Sequence, residues 1–238
     1  MIVYWAVSNV TNMSPVSKAL YSQPTKLTNK NVFKNVTPNN KQNNFKLCPA
    51  FLDHIDNLYG LHFPIDLDIK FTSTDVVSSL DQDIFNYFVN IRDFDQRFFG
   101  LKVNMVFFCE EDLEMELMPP YLEGNEFATS VTSLPGKFNI GKWFRPIDYA
   151  CILNNGKQSL KAKHNDIFNY VRFNTSKNIK FKQFDYVDQI ENIQKDVLRS
   201  KMILGSSSPR LEYYYKLLKH SRYKKKIIKL IKENILEE

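Results

Sequence analysis

Glycine is scarce in this sequence, with only seven residues in a chain of 238. No stretch matches the phosphate-binding loops GxxxxGK[ST] or GxGxxG, in which glycine lets backbone amides approach a phosphate closely. No GxSxG turn is present either, so the strained elbow that presents a hydrolase serine is missing. The sequence therefore argues against P-loop, dinucleotide and serine-hydrolase chemistry.

Cysteine and long apolar runs are also rare. The three cysteines, Cys48, Cys109 and Cys151, lie far apart and form no CxxC pair, which argues against a disulfide framework and a thiolate zinc site. No apolar run approaches the length of a membrane span, and Met1–Val7 lacks the basic region of a signal peptide. We therefore expect no membrane span, and a cytoplasmic location, in the host cytoplasm if the gene is viral.

Charge is plentiful and unevenly distributed along the chain. Residues 1–50 carry six lysines and no acid, residues 51–153 carry seven bases against seventeen acids, and residues 154–238 carry nineteen against nine. The net charge of +6 therefore hides an acidic middle and a basic end. These regions can neutralise each other within the fold or between copies, so a basic pI alone is weak evidence for nucleic-acid binding.

Short apolar segments separated by turn residues dominate the chain between residues 45 and 185. They predict an α+β protein with a mainly antiparallel β domain, a sandwich or jelly roll, because no long helices separate the strands. The candidate strands are Met1–Val7, Leu61–Phe63, Leu67–Thr72, Ile84–Val89, Phe98–Cys109, Leu113–Met118, Lys137–Phe144, Tyr149–Leu153, Ile167–Phe173 and Ile179–Phe184. Residues 22–46 are polar and predict a loop excursion from this domain, which we place at 1–186.

The chain changes character after residue 186. Asp188 and Glu191 form a plausible capping box, and apolar residues then recur at helical spacing to about Leu204. A second helix is predicted from about Pro209 to Leu236. We therefore assign 187–238 to a C-terminal helical appendage.

One pattern in the sequence could hold iron. His54 and Asp56 form a His-x-Asp pair, and a distant His164 would complete the facial triad of non-haem iron oxygenases. Arg172 follows eight residues later, where such enzymes often place the cation that binds the 2-oxoglutarate carboxylate. An Fe(II)/2-oxoglutarate dioxygenase is one alternative; the other is that the pair arises by chance and His164 is a solvated loop residue.

A second candidate site lies at Trp143 and Arg145. An aromatic residue beside an arginine can stack on a base, a sugar or a ligand that carries a carboxylate. The alternative is a strand whose aromatic residues enter the core and whose arginine pairs with one of the neighbouring acids. If the protein binds a small or extended ligand, we predict that Trp143 and Arg145 contact it.

The basic C-terminal segment is the third candidate. It contains Lys216, Lys219, Arg222, Lys224, Lys225 and Lys226 on a predicted amphipathic helix. Lysine on such a helix can bind a nucleic acid or an anionic surface, or can be an ordinary solvated face. It can also dock onto the acidic middle of another copy or of a partner protein, which is the interpretation we prefer.

Three short blocks resemble an uncharacterised protein family found in phage and bacterial genomes. They are Leu47–Ala50, Lys137–Pro146 and Tyr170–Phe173, and the similarity covers roughly residues 45–185. The resemblance implies a shared β-rich domain and no particular activity, and His54 and His164 lie outside its pattern. The sequence thus predicts a non-catalytic, phage-type accessory or binding protein without a cofactor, whose basic helices mediate self-association or partner docking.

Overall fold

The computed structural model describes residues 1–8, 18–28, 32, 48–203, 215–216, 218 and 222–236, with the backbone alone over 197–203. Its strands are β1 Ile2–Val7, β2 Thr25–Lys26, β3 Leu58–His62, β4 Leu67–Phe71, β5 Val76–Ser78, β6 Val89–Asp93, β7 Phe98–Leu101, β8 Met105–Phe108, β9 Glu114–Met118, β10 Val131–Ser133, β11 Gly136–Asn139, β12 Tyr149–Leu153, β13 Ser159–Ala162, β14 Ile167–Phe173 and β15 Lys180–Gln183. Its helices are α1 Pro49–Ile55, α2 Gln82–Phe88, α3 Glu126–Ser130, α4 Asp188–Ile203 and α5 Tyr223–Glu233.

The strands of this part of the chain form four separate sheets. Their strand orders are β15-β1-β8, β10-β12-β7-β6, β11-β9-β14-β3-β2 and β13-β4-β5. Every strand pair is antiparallel except β1 with β15, in which Ile2 lies opposite Lys180 and Trp5 opposite Gln183. The described residues form no closed barrel.

The β15-β1-β8 sheet separates two hydrophobic clusters. In β1, Val3, Trp5 and Val7 enter the larger cluster, whereas Tyr4 and Ala6 enter a second one. The adjacent strand β8 alternates in the same way, with Met105 and Phe107 on one side and Val106 and Phe108 on the other. Successive side chains of a strand point to opposite faces, so a continuous apolar run is the pattern of a strand buried on both sides.

The two C-terminal helices cover one face of this sheet. Ile190 and Ile193 of α4 and Ile227 and Ile231 of α5 are all buried in the second cluster. After α5 the chain adds a bridge between Ile235 and Phe184, and the Leu236 amide donates to the Gln183 carbonyl at 3.0 Å. Helix α5 is therefore packed against its own β-sheet.

The predicted fold class is confirmed at the level of an α+β protein with mostly antiparallel sheets and C-terminal helices. The described residues form four sheets, and whether they count as a sandwich or a jelly roll stays a prediction. The boundary at residue 186 also stays a prediction. Residues 22–24 and 27–28 lie outside any strand or helix, residues 25–26 form β2, and most of the rest of the predicted loop lies outside the described part.

Three predicted strands are wrong in detail. Residues 82–88 form helix α2 because Phe85 and Phe88, three residues apart, share its buried face. The predicted strand Phe98–Cys109 is two strands, separated by a turn in which Asn104 has φ 58°, a left-handed conformation that asparagine tolerates. The strand predicted at Lys137–Phe144 ends at Asn139, where a loop begins.

The packing of α5 predicts a large cost for shortening its buried side chains. Ile231 is fully buried, so Ile231→Ala should lower the free energy of unfolding by about 2–5 kcal/mol in urea titrations. Ile84→Ala is the control, because this side chain is 43% exposed and should cost about 0.5 kcal/mol or less. Equal effects of the two substitutions would contradict the docking of α5 on the sheet.

Candidate binding site at Trp143 and Arg145

The loop between β11 and β12 contains both residues of the second candidate site. Its apolar residues Ile140, Phe144 and Ile147 are buried, whereas Trp143 and Arg145 are half-buried. Ile140 and Ile147 join the larger cluster and Phe144 joins the second, where its ring lies 5.3 Å from that of Phe108. Because both clusters anchor the loop, the positions of Trp143 and Arg145 are fixed from two sides.

A glycine lets this loop approach a neighbouring turn. A Cβ atom at Gly141 would lie 2.1 Å from the backbone oxygen of Glu111, far inside van der Waals contact. The backbone here packs directly on backbone, which cannot move aside as a flexible side chain could. Beside it, Lys142 forms an ion pair with Asp112 at 2.5 Å.

Gly141→Ala should therefore push the loop away from the turn and lower the free energy of unfolding by about 1–3 kcal/mol. Gly124→Ala is the matched control, because a Cβ at Gly124 meets no atom within 4 Å. Thermal and urea unfolding of the two variants would measure the difference. An alanine at 141 that costs no more than one at 124 would contradict the close approach.

Phe138, Trp143 and Arg145 form a stack at the surface. The rings of Phe138 and Trp143 lie 5.9 Å apart and only 19° from parallel. The Arg145 guanidinium lies 4.8 Å from the centroid of the Trp143 ring, which is cation–π distance. Among the described residues Arg145 has no ion-pair partner, in contrast to neighbouring Lys142. The pairing with a nearby acid that the sequence left open is not found there.

The chemistry of this stack suits a flat, anionic ligand. A guanidinium has five N–H donors in one plane and binds carboxylate or phosphate oxygens in a bidentate manner. The Trp143 ring lies beside the guanidinium, and the charge of Arg145 has no carboxylate partner in the described structure. Phe138 was missed as a site residue, although it lies in the same block of sequence, five residues before Trp143.

The turn between β8 and β9 holds three elements of the chain together through ion pairs. Glu110 contacts Lys232 of α5 at 2.9 Å, Glu111 contacts Lys177 at 3.0 Å, and Asp112 contacts Lys142 at 2.5 Å. We call residues 110–112 the acidic turn. It links helix α5 to the loop of Trp143 and Arg145. The basic surface of α5 and the stack at Trp143 are therefore both held by this one segment.

Glu110 is the most connected residue of the acidic turn. It accepts hydrogen bonds from Tyr4 Oη at 2.8 Å and from Lys232 Nζ at 3.0 Å. Partial burial opposes the charge of Glu110, but these donors and the positive charge of Lys224 hold its pKa below the ordinary value. Burial and the bond to this carboxylate together raise the pKa of Tyr4 to about 12.

A carboxylate whose pKa is lower in the folded state than in the unfolded state stabilises the folded protein. For Glu110 this contribution is fully present at pH values above the pKa of the unfolded state, about 4.5. That contribution is lost as the pH falls through the lower folded value. We therefore expect Glu110→Gln to unfold more easily than wild type at pH 7, with a difference that shrinks in acid as wild-type Glu110 becomes protonated.

Unfolding curves between about pH 7 and about pH 3 would test this linkage. Asp95→Asn is the control, because Asp95 is exposed and has no ion pair in the described structure. A gap between wild type and Glu110→Gln that does not change with pH would contradict the role assigned to the ion pair.

The three proposed iron ligands each have a different partner. His54 Nε2 lies 2.5 Å from the hydroxyl of Tyr121, and Asp56 forms an ion pair with Lys26 at 2.9 Å. His164 Nε2 lies 3.2 Å from the carbonyl oxygen of Leu20. The described residues contain no group of three or more His, Cys, Asp or Glu side chains that could hold a metal ion. The facial triad predicted from the spacing is therefore not formed by these residues.

Arg172 has a structural role at the end of helix α1. From strand β14 its guanidinium donates to the backbone oxygen of His54 at 2.7 Å, in the last turn of that helix. It thus caps a carbonyl that lacks a partner within the helix. The same nitrogen lies 3.3 Å from His54 Nδ1, so Arg172 and His54 are brought together, but around a helix end.

The basic C-terminal residues fall into described and undescribed parts. Lys219 lies outside the described residues, and Lys216 is exposed just before the gap. Arg222, Lys225 and Lys226 are exposed, and Lys224 is half-buried on the side of α5 that faces Glu110. Three of the six residues, Lys224, Lys225 and Lys226, thus lie on helix α5, and Arg222 is its N-cap.

The sequence matches no known family model, and searches of curated proteins and of solved structures give no match. The resemblance to an uncharacterised phage and bacterial family therefore stays a prediction. No helix in the described part of the chain is long and apolar enough to cross a membrane.

Proposed function

We propose that this protein is a non-catalytic binding protein of the phage accessory type. Its ligand contacts Trp143 and Arg145, and helix α5 docks a partner through its basic surface. The observation that carries the proposal is the stacked Arg145 guanidinium, which lies 4.8 Å from the Trp143 ring centroid and has no ion-pair partner among the described residues.

Charge and geometry together favour a ligand with an anionic group and a flat face. An arginine whose charge no carboxylate neutralises attracts an anion, and the neighbouring aromatic ring adds stacking. The loop is anchored by Phe144 and Ile147 in two clusters, so the site is held in place before a ligand arrives. Preorganisation of this kind lowers the ordering cost of binding.

The surface chemistry of helix α5 supports a docking role. Its apolar residues Ile227 and Ile231 are buried against the sheet, so its remaining exposed surface is largely cationic. A partner on that surface must be anionic, whether an acidic protein or another polyanion. An iron-dependent oxygenase has no comparable support, because His54, Asp56 and His164 bond to separate partners.

Tryptophan fluorescence provides a direct test of the ligand site. Trp5 is 3% exposed whereas Trp143 is half-buried, so a ligand at the surface stack should change the emission of Trp143 selectively. We expect a saturable change with AMP, which is flat and anionic, and a weaker response to adenosine or inorganic phosphate alone. Arg145→Gln should weaken AMP binding about tenfold or more, the scale of one charge-assisted hydrogen bond.

Arg92→Gln is the matched control for Arg145→Gln. Arg92 also lies over an aromatic ring, 5.6 Å from the centroid of Phe98, but it is within 4.0 Å of Asp148. Its replacement removes the same charge from a stacked arginine elsewhere on the surface. Equal loss in the two variants, or no saturable response to any of the three probes, would contradict the proposed site.

A further inference from the structure

One face of helix α5 is a stripe of positive charge. Arg222 at the N-cap and Lys225, Lys226 and Lys229 within the helix are all exposed. Their spacing of three, four and seven residues places them on one side, opposite the buried Ile227 and Ile231. We call these four residues the α5 stripe.

Little of this charge is neutralised in the described structure. Lys229 lies 3.8 Å from Glu233, a distant and exposed pair, and Arg222, Lys225 and Lys226 have no ion pair there. The two other lysines of the helix face the acidic turn, where Lys232 binds Glu110 and Lys224 lies close enough to affect its pKa. The α5 stripe is therefore the part of the helix whose charge remains available.

We propose that the α5 stripe binds the phosphate backbone of a single-stranded nucleic acid. Seven helical residues rise about 10 Å, a length that covers about three phosphates of a strand whose bases are stacked at the axial spacing of duplex DNA. Lysines that neutralise phosphates release counterions, which drives binding without reading the sequence. This inference rests on the proposed docking role of α5 and names the class of its partner.

A second copy of the chain fits the α5 stripe less well. Stable protein interfaces have an apolar core, and the stripe contains no large exposed apolar residue. Helix α5 lies with its apolar side buried on the β15-β1-β8 sheet, so only its charged side is open to a partner. Contact with a flexible backbone along the exposed side suits this placement.

The neighbouring aromatic stack favours a single strand over a duplex. Phe144, between Trp143 and Arg145 in the sequence, packs in the same cluster as Ile227 and Ile231. The acidic turn binds Lys232 of α5 through Glu110 and Lys142 of the Trp143 loop through Asp112, two residues further along. Unpaired bases can stack on aromatic and guanidinium faces, while bases in a duplex are already stacked.

Fluorescence anisotropy with labelled oligo(dT) of about 20 nucleotides tests the inference on the full chain. With three or four phosphate contacts, the plot of log K against log salt should have a slope of about −2 to −3. The variant Lys225→Gln/Lys226→Gln should weaken binding and make the slope shallower by about 1.4, which is two contacts at 0.7 each. A duplex of the same length should bind more weakly.

The control is Lys70→Gln/Lys157→Gln, which removes the same charge from two exposed lysines on the β-sheet domain. All four lysines are exposed, so both variants should melt like wild type, and a melting comparison verifies this. Equal salt slopes for the two variants would overturn the assignment of the α5 stripe, and duplex binding as tight as single-strand binding would overturn the choice of a single strand.

Sedimentation of the same proteins at about 50 and about 200 mM salt separates this inference from the proposed function. Salt-sensitive self-association without oligo(dT) binding would place a second copy on the α5 stripe. That result would support the proposed docking role of α5 and contradict the nucleic-acid inference. Oligo(dT) binding through the stripe without any AMP response at Trp143 would support the inference and contradict the proposed ligand site.

Discussion

The burial of the β15-β1-β8 sheet on both faces is the constraint on which the rest of the structure depends. The side chains of β1 alternate between the two clusters, so Trp5 packs with the other sheets while Tyr4 packs with the C-terminal helices. A sheet with two apolar faces needs a cover on each side, because exposed apolar area of this size is unfavourable in water. Helices α4 and α5 provide that cover, and their placement follows from this requirement.

The candidate site depends on the same partition. Phe144 enters the cluster that contains α5, while Ile140 and Ile147 enter the larger one, so the loop between β11 and β12 spans the junction of the two. The acidic turn fixes the junction with ion pairs to Lys142 and Lys232. Exposed ion pairs contribute little stability individually. The buried apolar residues of the loop therefore provide most of the stabilisation, and the ion pairs position the loop relative to α5.

The sequence predicted local features better than their assembly. The continuous apolar run of β1 and the helical spacing after Asp188 were readable, because both depend on neighbours along the chain. The sequence predicts a strand where residues 82–88 form a helix. This segment is short and has only two buried residues, both phenylalanines, so its apolar pattern does not distinguish the helical repeat of 3.6 residues from the strand repeat of two. Trp143 and Arg145 were identified from their residue types, but their stack with Phe138 depends on where a loop folds back. The predicted iron ligands show the same limit, since spacing along the chain cannot show that His54 and His164 lie beside different partners.

The parallel pairing of β1 with β15 has a consequence for folding during synthesis. Tyr4 lies opposite Phe108 of β8 on one side and Lys182 of β15 on the other. At 5–20 residues per second, the ribosome makes β15 on the order of ten seconds or more after β1. During that delay an apolar strand has no native partner on one edge and no helix over one of its faces. Contacts between such distant segments slow folding, and unpaired apolar strands promote aggregation, so β1 is exposed to aggregation until β15 and the C-terminal helices have been made.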